Sequence, residues 1–518
     1  MEAALEKRLK RQVIGKPHLF LAVVPLGFEQ TLVEELTSIS QENSLRHPEP
    51  RSGEGSSQES IAFHVIGDGK VEFTAKITDA WKAVACTRIA NRILMHIADF
   101  KAENFRELEK KASEIPWELY LPSAPANPDS RHTAVPLLQR HTEARSASVS
   151  TSSNSELGTG NSLSIHVTCK HSRLYHSDAI ADRLHNVIGE SLHNCHSGAE
   201  GDNAPQNLYV NFLDDRCTLW LDLAGEELYK RGHKRHVNDA PLKETIAAGM
   251  LFEVSALVAA PITLIDPMAG SGTFSLEAAY MASGLIPGVC RDFALKHQPA
   301  FKPATWNHIV NSELSLRGNE ATAAINDITP KRETSPIVTP KREASPIVTP
   351  QREAQECPSA IITSDISERA ISIIRHNVEC SPLASAPQGG NAPAIAPQLK
   401  DFFNYTAEEI ANACPAGTQP AMVLNPPYGK RLDCDAPKLY TQIGQKLAEL
   451  ARSLKALGKT LSVAILAPKD DTRGGAKYTC TANLLRECPA LDPATNTSAK
   501  RIVTSHGGFT LNAFFAKL

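Results

Sequence analysis

The chain has 518 residues, of which 42% are hydrophobic and 21% charged, with 34 prolines and 11 cysteines. At ~100–200 residues per domain that length corresponds to about three domains, which excludes a small disulfide scaffold, and the ordinary composition excludes a chain disordered throughout. The formal net charge is −3, so any surface for a polyanion must be local.

The N-terminal stretch MEAALEKRLKRQVIGK is charged and lacks an apolar targeting core, and the apolar run Leu19 to Phe28 is broken by Pro25 and too short to span a bilayer. The cysteines, from Cys86 to Cys488, include no C-x-x-C pair and fit reduced thiols. A soluble cytoplasmic protein is expected. Leu19 to Val24, the turn at Pro25 and Gly27, and the helical spacing of Leu32, Val33 and Leu36 read as strand, turn and helix. Residues 41–60 read as a loop, Ile61 to Val65 and Val71 to Thr74 as a hairpin around GDGK, Ala80, Val84 and Ile89 as a helix face, and Ile93 to Ile97 as a strand. Residues 122–161 have too little apolar surface to offset the entropy of ordering and read as a solvated insertion. Beyond them, strands at Ser164 to Thr168, Leu208 to Leu213 and Cys217 to Leu223 and a helix at Ser177 to Ile188 predict a second small α/β domain.

From Leu242, the spacing of Ile246, Met250, Leu251, Val254 and Val258 predicts a helix that leads into the strand ITLID and the turn PMAGSGT. A doubly wound domain is expected to start there. Gly270 and Gly272 permit a tight turn with close backbone approach to a ligand, and the next helix offers free N–H groups. The turn is neither a P-loop nor the G-x-G-x-x-G dinucleotide fingerprint. The domain is interrupted by a ten-residue repeat, TPKRETSPIV, TPKREASPIV and the partial TPQREAQECP. Two prolines per unit exclude helix and central strand, so the repeat reads as a disordered, polyproline-like insertion. Its Lys331, Arg332, Lys341 and Arg342 could form a basic RNA-contacting arm, but each unit also carries a Glu, and a repeated surface loop is the plainer reading.

Three acids then fall in order at predicted strand ends: Asp266, Asp365 and Asp401. In open α/β sheets such ends line the ligand crevice. A fourth short strand, AMVL, runs into Asn425-Pro426-Pro427-Tyr428. The ordered series DPMAGSGT, SD, KD and NPPYGKRL resembles a class I S-adenosylmethionine-dependent methyltransferase of the N-methyltransferase branch. In the first half, LFLAVVPLGFEQTLVEEL, KITDAWKAVACTRIANRILMHIADFKAENFRELEKKASEIPWELYLP and LDLAGEELYKRGHKRHVNDAPLKETIAAGML resemble the THUMP-containing bacterial large-subunit rRNA guanine-N2 methyltransferases. The likeness runs from about His18 onward, omitting 41–60, 122–161 and 312–358.

The resemblance implies an α/β chain: a ferredoxin-like part with the start of the THUMP region over 18–121, the rest of the THUMP RNA-binding domain over 162–224, a basic linker over 225–241, and a Rossmann-like methyltransferase domain over 242–518 with a disordered repeat insertion at 312–358. Some relatives carry a second methyltransferase behind the first, an activity expected to be absent here. Ala269, Gly270 and Gly272 would hold the methionine end of S-adenosylmethionine, with Asp266 near its amino group and Thr273 capping the next helix. Ala269 stands where many relatives have Cys, and contributes backbone equally well. Asp365 would take the ribose hydroxyls and Asp401 would face the adenine. Asn425 and Pro426 would accept N–H bonds from an exocyclic amine, whose lone pair is delocalised into its ring and must be oriented, and Tyr428 would stack on the base.

The run KRGHKRH, with Lys230, Arg231, Lys234 and Arg235, is the densest basic segment and the expected RNA-phosphate contact. His171, His176, His185, His193 and His196 have no regular ligand spacing, and no metal is expected. The partner implied is 23S rRNA or a large-subunit precursor. Two alternatives remain: a tRNA guanine-N2 or adenine-N6 methyltransferase, and a non-catalytic RNA-binding ribosome assembly factor.

Overall fold

A computed structural model describes residues 2–41, 61–122, 163–193, 205–232, 236–237, 241–316, 358–385, 393–428, 435–470 and 479–518. The ten-residue repeat and the greater part of both polar insertions lie outside the described residues.

The N-terminal half is built on one seven-stranded sheet, ordered β2-β3-β1-β4-β7-β6-β5. Its strands are β1 (Pro17–Val23), β2 (Phe63–Gly67), β3 (Lys70–Lys76), β4 (Arg92–Lys101), β5 (Leu163–Lys170), β6 (Gln206–Leu213) and β7 (Arg216–Asp222). The expected second small domain is therefore not separate. β4 starts one residue before and ends four residues after the expected strand Ile93–Ile97, pairing with β1 on one side and β7 on the other, so strands before and after the 122–161 insertion share one ladder. Apolar alternation buries Leu208, Val210 and Phe212 of β6 against Leu108 and Ala112 of the helix Phe105–Ser113 and against Ile180, Leu184 and Ile188 of the helix Ser177–His193.

The C-terminal half holds a second seven-stranded sheet, ordered β10-β9-β8-β11-β12-β14-β13. Here β8 is Ile262–Asp266, β9 Ala360–Asp365, β10 Gln398–Leu399, β11 Gln419–Leu424, β12 Ser462–Pro468, β13 Lys500–His506 and β14 Phe509–Lys517. Strands β8 to β12 pair in parallel, and β14 enters antiparallel between β12 and β13. Every residue of β8 and β12 is buried, as expected of a sheet covered on both faces. Chain order reverses between β8 and β11, the switch point at which open α/β sheets bind ligands. The helix Pro303–Leu316 extends five residues into the stretch assigned to the insertion, held by an ion pair of 2.9 Å between buried Glu313 and Lys82 of the first half.

The two halves share a core. Phe20, Phe28, Leu32 and Trp81 from the first belong to one apolar cluster with Ile246, Met250, Val254 and Phe274 from the second. The helix Glu244–Ala256 lies so close to the first half that a Cβ on Gly249 would stand 2.7 Å from the Phe28 ring. Part of the expected linker is packed as well: Gly225, Leu228 and Arg231 are buried, and a Cβ on Gly232 would stand 2.4 Å from the Cys290 carbonyl oxygen, while Glu226 and Lys230 are exposed.

Candidate active site

The parallel register brings the acidic strand ends together. Asp266 of β8 lies opposite Thr363 of β9, two residues before Asp365, and Ile265 lies opposite Met422 of β11, three residues before Asn425. With neighbouring strands ~4.8 Å apart, these residues line one crevice. Asp401 follows two residues after β10, a strand only two residues long.

The turn after β8 is tied to its surroundings by backbone bonds. Ala269 N–H donates to the Ser364 carbonyl (3.0 Å) and Gly270 N–H to Asp365 Oδ2 (2.9 Å). Gly270 (φ 57°) and Gly272 (φ 78°) take left-handed conformations that favour glycine. A Cβ at Gly272 would press to 3.2 Å on Ile374, whereas nothing stands within 4 Å of one at Gly270, so that side of the turn is open. Gly272, and not Thr273, occupies the N-cap of the helix Thr273–Ala282: the left-handed residue closes the turn, and Thr273 is the first helical residue.

Asp266 is 1% exposed. Its Oδ2 accepts from Ser275 Oγ (2.7 Å) and Ser275 N–H (3.3 Å), while Oδ1 is buried without a partner. Burial, reinforced by the neighbouring Asp365 carboxylate and opposed by the Ser275 bonds, pushes its pKa up to about 7. A bare buried acceptor beside an open glycine turn fits a ligand ammonium, and so fits the amino-acid end of S-adenosylmethionine. Asp365 has a structural task as well, since Oδ1 accepts from Ser367 N–H (2.9 Å) and Oδ2 from Gly270; each oxygen keeps a second lone pair for a hydroxyl. Asp401 caps the short helical turn Phe402–Asn404 through Phe403 N–H (3.0 Å).

Asn425 follows the fully buried Leu424, and its Oδ1 is buried with no hydrogen-bond partner. Leaving such a carbonyl unpaired costs about 1–3 kcal/mol, a cost relieved when an N–H donor arrives. Pro426 is buried and Tyr428 half-buried. The Tyr428 ring meets Phe509 edge to face, with centroids 5.9 Å apart at 73°, and burial pushes its phenol up to about 12. Phe509, at the tip of the β13–β14 hairpin and 39% exposed, escaped the sequence reading because only pairing of those strands brings it to Tyr428.

Asn377 was also missed. It is fully buried in the helix Glu368–Glu379; its Oδ1 accepts from His236 N–H (2.7 Å), and its Nδ2 donates to the carbonyls of His236 (2.9 Å) and Ser271 (3.0 Å). One carboxamide thus bolts the end of the basic run to the glycine turn. The signal was an Asn three residues after Ile374, on the helix face that Ala370 and Ile374 bury.

The basic run divides. Lys230 is exposed and pairs with Glu226 at 3.0 Å, and Lys234 and Arg235 lie outside the described residues. Arg231 is not an RNA contact: it donates to Glu277 through Nε (2.9 Å) and Nη2 (3.1 Å) and to the carbonyls of Leu228 and Arg88, because a charge buried between the halves must be paired. Among the described residues no group of three or more His, Cys, Asp or Glu could hold a metal ion, and no helix is long and apolar enough to cross a membrane.

Residues 231–384 match the family model of an RMKL-like methyltransferase domain. A ribosomal RNA large subunit methyltransferase K/L of Shewanella sp. (strain W3-18-1) is 26% identical over 430 residues, covering 82% of this chain and 46% of the relative, and the same-named protein of Shewanella sp. (strain ANA-3) is 27% identical over the same coverage. The chain thus spans about half the length of these curated relatives. Among solved structures, a possible methylase from Clostridium difficile 630 superposes with a TM-score of 0.59 at 19% identity, covering 97% of this chain and 98% of that one. A putative methyltransferase complexed with SAH gives 0.60 at 18% identity with the same coverage. Both share the fold, so the expected α/β architecture, an N-terminal module followed by a Rossmann-like domain, holds.

Proposed function

Taking residues 231–384 as an RMKL-like methyltransferase domain, we propose that the chain methylates the exocyclic N2 of one guanine in 23S rRNA or its large-subunit precursor, with S-adenosylmethionine as donor. The bare, buried carbonyl oxygen of Asn425 at the switch point carries this reading, because it can be satisfied only by a donor such as an amine N–H.

When bound, S-adenosylmethionine would supply a sulfonium-borne methyl group that an amine lone pair can take, the neutral thioether leaving and one amine proton passing to solvent. The Asp266 carboxylate and the Gly270–Gly272 turn would hold its amino-acid end, and Asp365 and Asp401 its nucleoside. Asn425 Oδ1 and the Pro426 carbonyl accept the two N–H bonds of the target amine and direct its lone pair, a contribution of positioning. Pro426 and Pro427 have no backbone N–H to compete for the amine. Tyr428 and Phe509 offer ring surface to a base drawn from its stack. The Tyr428 phenol, near 12, stays protonated at neutral pH and is no base.

Ribosomes from cells with and without the gene, digested to nucleosides, are expected to differ in N2-methylguanosine; equal amounts would sink the assignment. Methylation of purified rRNA but not tRNA separates the leading reading from its tRNA alternative, and calorimetric binding of S-adenosylhomocysteine separates it from an assembly factor.

The Asp266 shift sets a pH dependence. A carboxyl whose folded pKa lies near 7, above the ordinary 3.8, contributes stability that is fully present below pH 4 and is lost as pH rises to 7. A ligand ammonium reverses the preference by favouring the carboxylate. S-adenosylhomocysteine affinity is therefore expected to rise about fivefold between pH 6 and pH 7, with a proton released on binding. Flat calorimetric affinity across that window would remove Asp266 from the amino-group site.

A further inference from the structure

The N-terminal sheet has two unlike faces. The helices described above cover one of them. On the other, Leu21, Leu94 and Trp220 form a small apolar cluster with Leu19, Val23 and Tyr209, and every member belongs to the sheet's own strands.

Four rings stand in register across this face: His96 of β4 opposite Trp220 of β7, Trp220 opposite Tyr209 of β6, and Tyr209 opposite His166 of β5. His96 and Trp220 meet at 5.2 Å, Tyr209 and His166 stack at 4.8 Å and 20°, and the Arg92 guanidinium lies 5.5 Å from the Tyr209 centroid. Trp220 is 9% exposed and forms the floor, while His96, Tyr209 and His166 are half-buried.

The next row along the strands on this face is polar: Asp99, Thr218, Asn211 and Thr168. The row after it is Lys101, Arg216, Leu213 and Lys170, all exposed. Arg216 pairs with Asp99 and Lys101 with Glu103, so two of its cations are part-neutralised. On β3, exposed Lys70 and Lys76, opposite Val23 and Pro17, add positive charge to the same face around Glu72. In a chain of net charge −3, cations are gathered beside a ring ladder.

We propose that this face binds single-stranded RNA, with bases against the row His96–Trp220–Tyr209–His166 and phosphates on the row Lys101–Arg216–Lys170. The proposal rests on the reading of the chain as an RNA methyltransferase and says which surface of the first half captures the substrate. Unpaired bases expose the π-faces that rings can use, whereas a duplex offers a sheet only its phosphates. Three strand spacings give the ring row a span of ~14 Å, room for two or three bases.

The test uses the full chain, a fluorescein-labelled single-stranded RNA 12-mer and a 12-base-pair RNA duplex, titrated by anisotropy at several salt concentrations. His166→Ala with Tyr209→Ala is expected to weaken single-strand binding about 5- to 100-fold and leave duplex binding unchanged. Lys170→Glu alone, at the exposed edge of the sheet, is expected to weaken binding and make it less dependent on salt. Each variant is also titrated with S-adenosylhomocysteine and melted, and unchanged values establish an intact fold. Wild-type affinity for the single strand in the ring variant overturns the proposal, as does equal loss for strand and duplex. So does a mass twice that of the chain in wild type but not in the variants, which would make the face a contact between copies. Failure of the wild type to bind S-adenosylhomocysteine strikes the methyltransferase reading instead.

Discussion

Asn425→Ala is expected to lower kcat by about 100- to 1,000-fold, the range found when one pre-oriented polar group at a reacting centre is removed. The side chain ends in a carbonyl oxygen that is buried without a partner, so the protein bears the cost of desolvating it before any substrate arrives. It stands just beyond Leu424, on a strand whose last five residues are buried, and that strand fixes its position. Alanine leaves the Pro426 carbonyl as a single acceptor, and the amine then turns about one hydrogen bond rather than being held by two. Nothing in the glycine turn depends on Asn425, so S-adenosylhomocysteine affinity is expected to stay within about twofold of wild type. Asn425→Asp, which keeps an acceptor oxygen, should recover part of the rate. Stopped turnover with equal loss of cofactor affinity would make Asn425 a support for the turn.

Glu277→Ala is expected to cost about 3–5 kcal/mol of stability, measured by urea denaturation, because it strands buried positive charge between the halves. Glu277 is fully buried, Arg231 is 5% exposed and Arg88 3% exposed. Arg231 is held by Glu277 through two bonds, and Arg88 Nη1 lies 3.8 Å from the same carboxylate. Pairing Glu277→Leu with Arg231→Met removes the bidentate pair, leaving Arg88 as the one cation that loses the carboxylate, and should be milder than Glu277→Ala. A loss below about 1 kcal/mol for Glu277→Ala would show that water reaches the site and that the pair is not desolvated.

The strands that place the crevice were legible because each is a short apolar run ending in a polar residue of evident use: ITLID, IITSD and AMVLN all lie where their patterns put them. What failed were matters of distance along the chain. Arg231 sits in a run that reads as a solvated basic patch, and nothing local discloses Glu277, 46 positions later, as its partner. The resemblance implied Thr273 as the cap, but the left-handed φ at Gly272 already ends the turn. The stretch after NPPYGKRL, with the amphipathic helix Ala436–Ala456 and the closing hairpin, carries no chemical motif and went unread, and Phe509 was missed with it.

The core shared by the halves bears on how such a chain can diversify. The helix Glu244–Ala256 opens the catalytic half, yet its residues pack with Phe28 and Leu32 of the other half, and Gly249 is the smallest residue that allows the approach. A chimera cut at about residue 241, carrying a first half from a distant relative, would set a foreign surface against that helix. Retargeting by exchange of whole halves is therefore closed unless the seam travels too. Changes of ligand preference in the first half are instead open to point substitution on surfaces away from that seam.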